Sequence, residues 1–169
     1  MRILVGYASE HGSTREIAVR VAERLREHGH EAEALSLDRA GDVGAYDAAV
    51  LGSAVHNSAW LPTAVDYVER NTGALAERPV WLFSIGLAHA MNAWIADRAR
   101  EPTTIAAFRA ALRPRGHCLL AGAVERDHLP FFGRLVFRLM RGRYGDFRNW
   151  TEIDAWADSI ATDLGSPLR

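Results

Sequence analysis

A chain of 169 residues with 49% hydrophobic and 24% charged content has the size and make-up of one ordinary globular domain with a sizeable core. Its formal net charge of −1, from 20 basic and 21 acidic side chains, gives no general attraction to nucleic acid. A single cysteine excludes an intrachain disulfide framework, and no apolar run approaches the length of a membrane span.

Arg2 to Ala8 is apolar without alternation, the pattern of a strand buried on both faces. It follows Met1 directly, with no signal-peptide pattern, so the expected location is the cytoplasm. Ser13 to His28 places Ile17, Val21 and Leu25 at helical spacing, and Gly29 stops the helix. Glu31 to Leu37 alternates as a second strand. Asp42 to Tyr46 is a short turn, and Asp47 to Ser53 a third, apolar strand. Trp60-Leu61-Pro62 opens a helix, with Pro where its missing N–H costs nothing, running to about Asn71. Pro79 to Ile85 is a fourth strand. Residues 88–113 are mostly helical in pattern, with a break at Pro102. His117 to Val124 is a fifth strand, and it contains Cys118, read as an inert buried thiol in a reducing compartment. Thr151 to Leu164 is a final amphipathic helix with Ile153, Trp156 and Ile160 on one face.

Strands separated by helices predict an α/β domain: a parallel sheet with right-handed crossovers and both faces covered. In a doubly wound sheet the ligand sits at the carboxyl ends of the strands. Three loops lie there. The first, Ser9-Glu10-His11-Gly12-Ser13-Thr14, is rich in hydroxyls and ends at a helix N-terminus, where free N–H groups and the dipole favour an anion. Ser13 with Glu16 also reads as a capping box, and the two readings are compatible. The loop contains neither Lys nor Arg, so an anion would be held by neutral donors. It is neither a Walker loop nor a G-x-G-x-x-G turn.

The second loop begins with Gly52 and continues Ser53-Ala54-Val55-His56-Asn57-Ser58-Ala59-Trp60. Trp60 either stacks on a flat ligand or packs at the helix start, the commoner role for a single Trp. His56 either donates to a ring carbonyl or is solvated. The third loop, Ser84-Ile85-Gly86-Leu87-Ala88-His89, offers small residues and backbone groups. No G-x-S-x-G elbow, useful Asp/His spacing or Cys/His cluster points to a hydrolase or a metal site. No side chain stands out as a catalytic acid or base.

With these loops laid out, the chain resembles the flavodoxin superfamily across essentially its whole length. SEHGST follows the first strand, SAVHNSAW the third and SIGLAHA the fourth. Within that superfamily it is most similar to the menaquinone-dependent protoporphyrinogen oxidase branch. There the first loop runs into T-R-E-I-A, as Thr14-Arg15-Glu16-Ile17-Ala18 does here, and an aromatic and basic insertion follows strand five. The resemblance implies a flavodoxin-like three-layer fold, five parallel strands in the order 2-1-3-4-5, and one domain over residues 1–169. It also implies FMN. Ser9, Glu10, His11, Gly12, Ser13 and Thr14 would surround the phosphate. Ser53, Ala54, Val55, His56, Asn57 and Trp60, with Ser84, Ile85, Gly86, Leu87, Ala88 and His89, would flank the isoalloxazine. His11 stands where flavodoxins often have a second hydroxyl, and the third loop lacks the Tyr that often covers the flavin.

The connection from Glu125 to Trp150 is long for this architecture. In it Arg134, Arg138 and Arg141 share one helical face, with Phe137 among the apolar residues of the rest. Such a segment either lies on an anionic membrane or binds a lipid-soluble substrate, or packs on the domain with its arginines solvated. The resemblance implies an oxidoreductase passing electrons from a reduced tetrapyrrole through FMN to menaquinone. Residues 131–144 would contact substrate or the inner face of the cell membrane. A quinone reductase with another donor and a soluble electron carrier are the alternatives.

Overall fold

The computed structural model describes residues 1–86, 101–124 and 145–165. Five strands form a parallel sheet: β1 (Arg2–Ala8), β2 (Glu31–Ser36), β3 (Ala48–His56), β5 (Val80–Gly86) and β6 (Gly116–Ala121). Their order is β2-β1-β3-β5-β6, so the five long strands take the expected 2-1-3-4-5 arrangement. The short strand β4 (Ala59–Trp60) pairs antiparallel with the end of β3.

Alternation along each strand sends side chains to two cores. Ile3, Val5, Val50 and Phe83 pack with Ile17, Val21 and Leu25 of α1 (Ser13–Glu27) and with Ile153 and Ile160 of α5 (Trp150–Gly165). Leu4, Leu51 and Leu82 pack on the other face. There they meet α2 (Pro62–Arg70), α3 (Thr72–Ala76) and α4 (Thr103–Leu112) through Ala64, Val68, Leu75, Ile105 and Phe108. Each fully buried large side chain contributes about 1.5–3 kcal/mol. Both layers cover the central strands, whose carboxyl ends lie together along one edge of the sheet.

Gly52 lies inside β3, not at the start of a loop. A Cβ there would come within 2.0 Å of the Phe83 ring, so the residue is small because Phe83 fills its space. On α1 and α5, Arg20 forks onto Asp154 (2.7 and 2.6 Å) and Arg24 onto Asp158 (3.2, 2.8 and 2.9 Å), joining the two helices at their solvent edge.

The fifth predicted strand divides at Gly122. Beyond it, β7 (Ala123–Val124) leaves the main sheet and pairs antiparallel with β8 (Gly145–Asp146). The predicted turn at Asp42 to Tyr46 is a 3-10 turn over Val43–Ala45, with the Asp42 side chain accepting from the Gly44 N–H at 2.9 Å. The helical pattern of residues 88–113 is realised from Thr103 onward within the described residues.

Candidate functional site

The first loop opens α1 differently from a capping box. The residue before the helix is Gly12, with φ of 93°, and no side chain caps it. Ser13 is therefore the first helical residue, and its predicted capping role is taken by a left-handed glycine, a conformation that L side chains enter at a cost. The Gly12 N–H donates to Ser9 Oγ at 2.9 Å. The helical ladder begins with Glu16 N–H to the Gly12 carbonyl at 3.1 Å, so the N–H groups of Ser13, Thr14 and Arg15 precede it.

Thr14 carries the decisive atom. The residue is fully buried, and its Oγ1 has no hydrogen-bond partner among the described residues. A buried hydroxyl without a partner costs about 1–3 kcal/mol, so such groups are rare outside ligand sites. The orphaned donor sits in the first turn of a helix, beside a glycine whose Cβ position is open space to 4 Å. This is the donor set for an oxyanion that brings its own acceptors. Glu10 and His11 stand at the rim, both exposed, with 4.0 Å between His11 Nε2 and Glu10 Oε2.

The second loop is a β-hairpin. Val55 pairs with Trp60 and His56 with Ala59, leaving Asn57 and Ser58 as a two-residue turn with φ of 48° and 63°. Two positive φ values mark a type I′ turn, for which Asn at the first position is the readable signal. The turn is tied to the start of α4: the Thr103 N–H donates to the Ser58 carbonyl (2.9 Å), and the Trp60 N–H to Thr104 Oγ1 (3.3 Å). Ala54, Val55, His56 and Asn57 lie at the open edge, with His56 and Asn57 exposed.

Four predicted side chains turn away from that edge. Trp60 is 3% exposed and meets the Phe108 ring edge-on at 5.2 Å, so its faces serve the core and are not free to stack on a ligand. Ser53 Oγ donates to the Ala54 carbonyl (2.8 Å) and accepts from the Leu61 N–H (3.0 Å), which uses up a buried hydroxyl. Ile85 is buried in the core under α1 and α5 and offers backbone only. Ser84 is fully buried and accepts from Trp60 Nε1 at 2.7 Å. Gly86 remains at the edge. Leu87, Ala88 and His89, like Arg134, Phe137, Arg138 and Arg141, lie outside the described residues.

Ser84 belongs to a chain of groups whose spacing hid it. Ser84 Oγ is 2.8 Å from His117 Nε2, His117 Nδ1 is 2.9 Å from Glu101 Oε1, and Arg109 donates to the same Glu101 oxygen at 2.6 Å. Donors and acceptors match in one direction. Trp60 N–H reaches Ser84, the Ser84 O–H reaches His117 Nε2, and a neutral His117 donates from Nδ1 to Glu101. Burial holds His117 below its ordinary pKa and favours that neutral form, although Glu101 pulls the other way. Ser, His and Glu in this order are the parts of an acyl-transfer triad. Here Ser84 is inaccessible and already accepts from Trp60, so the chain positions the β4, β5 and β6 ends and is no nucleophile. Cys118 is equally inert: burial, with a smaller push from Glu152, raises its thiol to about 11.

Comparison with known proteins fits this geometry. The Flavodoxin domain model matches residues 4–149.

The chain belongs to the flavodoxin domain family.

Its curated relatives include the Escherichia coli (strain K12) protein named Protoporphyrinogen IX dehydrogenase [quinone]. That protein is 24% identical over 177 aligned positions, covering 95% of each chain. Among solved structures, a flavodoxin from the domain Archaea aligns with a TM-score of 0.65 at 12% identity, over 98% of this chain and 100% of its own. The rubredoxin oxygen:oxidoreductase of Desulfovibrio gigas aligns with a TM-score of 0.64 at 14% identity, over 97% of this chain and 36% of its own. The cofactor of the family is FMN. The orphaned Thr14 hydroxyl, the open space at Gly12 and the helix N-terminus suit its phosphate.

Proposed function

We propose that this flavodoxin-family protein is an FMN-dependent oxidoreductase that takes electrons from a reduced tetrapyrrole and delivers them to a quinone. A redox role follows from the family; the particular reaction is inferred. The observation that carries it is similarity over 95% of both chains to a protein named for protoporphyrinogen IX and a quinone.

Bound FMN supplies the redox chemistry. The chain's own part is to hold the phosphate through Ser9, Ser13 and Thr14 and the N–H groups at the start of α1. Ala54 to Asn57, together with Gly86, line the edge where the isoalloxazine would lie. Neutral donors leave the phosphate's charge to the helix dipole and to charges around it. Residues 131–144 supply the arginines and apolar side chains that suit an acidic, lipid-soluble substrate or an anionic membrane. Among the described residues no helix is long and apolar enough to cross a membrane. Residues 131–144 are too few to span a bilayer, so any membrane contact through this segment is proposed as peripheral.

The test is anaerobic incubation of the FMN-loaded protein with protoporphyrinogen and a menaquinone analogue. Fluorescent porphyrin forming above the protein-free rate supports the reading; a background rate removes it. Flavin reduction by other donors, with quinone turnover, would mark a quinone reductase. Reversible reduction without turnover of either substrate would mark an electron carrier.

A further inference from the structure

Arg148 lies far from the first loop in sequence and reaches it in space. The chain returns through β8 beside the end of β6, where the Phe147 N–H donates to the Gly122 carbonyl at 3.3 Å. A Cβ on Gly122 would sit 3.5 Å from Ser13 Oγ, so the residue to which this return is tied lies beside the first turn of α1. There the Arg148 side chain, 11% exposed, binds two carboxylates. It forks onto Asp146 with contacts of 2.8 and 2.6 Å, and Nη1 donates to Glu16 Oε2 at 2.5 Å. Its guanidinium also lies 4.8 Å from the Trp150 ring centre.

Glu16 is in the first helical turn, on the end that faces the phosphate. A carboxylate there stabilises a bare helix, because it answers the positive end of the dipole. For a bound phosphate the same charge is a liability, since two anions near one helix end repel each other. The loop itself contains no Lys or Arg to offset it.

We propose that Arg148 is a positioning residue for the flavin's phosphate. By pairing with Glu16, it screens the carboxylate and ties the return of the chain to the start of α1, beside the phosphate-binding turn. The proposal rests on the FMN reading above. It assigns to a residue 132 positions from Glu16 a role that the loop sequence does not reveal.

The experiment titrates FMN and riboflavin, which lacks the phosphate, into apo wild type, Arg148→Met, Glu16→Gln and the double variant. Arg148→Met is expected to weaken FMN about fivefold while riboflavin changes little, the size of a charge effect at a helix end. That loss is expected to shrink at high salt. Glu16→Gln in the same chain is expected to restore part of the FMN affinity, because the Glu16 carboxylate that Arg148 screened is gone and only Asp146 is left unpaired. A mere tether would not be restored in this way. Equal weakening of both flavins, or no recovery in the double variant, overturns the proposal. If Arg148→Met fails to fold, Glu16→Gln alone decides: FMN is expected to tighten relative to riboflavin, and weaker FMN binding overturns it. Wild type that binds neither flavin removes the cofactor reading, and this proposal with it.

Discussion

Thr14 presents the sharpest test at the scale of one residue. In the apo protein its buried hydroxyl gains nothing and costs desolvation. Thr14→Val keeps the shape and removes the orphan, so apo stability is expected to rise by up to about 1 kcal/mol, read from urea unfolding. FMN affinity, read by fluorescence quenching, is expected to fall. Opposite signs in the two measurements separate a ligand-binding hydroxyl from a packing residue. His117 gives a pH prediction. Its folded pKa lies below the ordinary 6.5, first because of burial and also because of Arg109, with Glu101 opposing. The unfolded chain therefore takes up the proton first. The stability from neutral His117 is complete above about pH 6.5 and is lost as pH falls through the folded value. Protonation also sets an N–H against the Ser84 O–H. Between pH 7 and 5, His117→Gln is expected to melt with a shallower pH slope than wild type. His30 is shifted in the same direction, so the difference between the two proteins is the readout.

At the scale of elements, β3 and β5 show how much of the sheet was legible. Their apolar runs predicted buried strands, and the structure contains them in the expected neighbourhood. The runs did not reveal that Gly52 makes room for Phe83, which in turn meets Trp156 edge-on at 5.7 Å. Gly52→Ala forces a methyl group into that ring, and a loss of about 1–3 kcal/mol is expected from chemical denaturation. Gly52→Ala combined with Phe83→Leu is expected to recover part of it. The hairpin at the end of β3 was missed because its two-residue turn, Asn57-Ser58, lacks the usual glycine. The division at Gly122 was missed for another reason. The partner of β7 lies beyond residues 125–144, and pairing at that range leaves no local pattern.

For the whole molecule, ligand binding and folding are one equilibrium. FMN that binds only the folded chain adds about 2.7 kcal/mol when its free concentration is 100 times Kd. For a chain of this length that corresponds to a rise in Tm of roughly 5–10 °C. A thermal melt with and without FMN checks it, and riboflavin is expected to give a smaller rise if the phosphate site contributes. The three site loops come from β1, β3 and β5, which are neighbours in the sheet.

The sequence by itself determined the alternation of strands and helices, the parallel sheet and the edge at which a ligand is expected. Those features rest on hydrophobic periodicity and on helix starts, which are properties of short stretches. Only the tertiary structure decided which of several similar side chains have their hydrogen bonds met within the chain. Thr14 is left without a partner, while Ser53 and Ser84 spend their hydroxyls on Leu61, Trp60 and His117. Trp60 turns into the core, and Arg148 arrives beside Glu16 from the far end of the chain. The physical reason is that a polar group's role depends on whether its hydrogen bonds are already met, and the groups that meet them here include some 8 to 132 residues away.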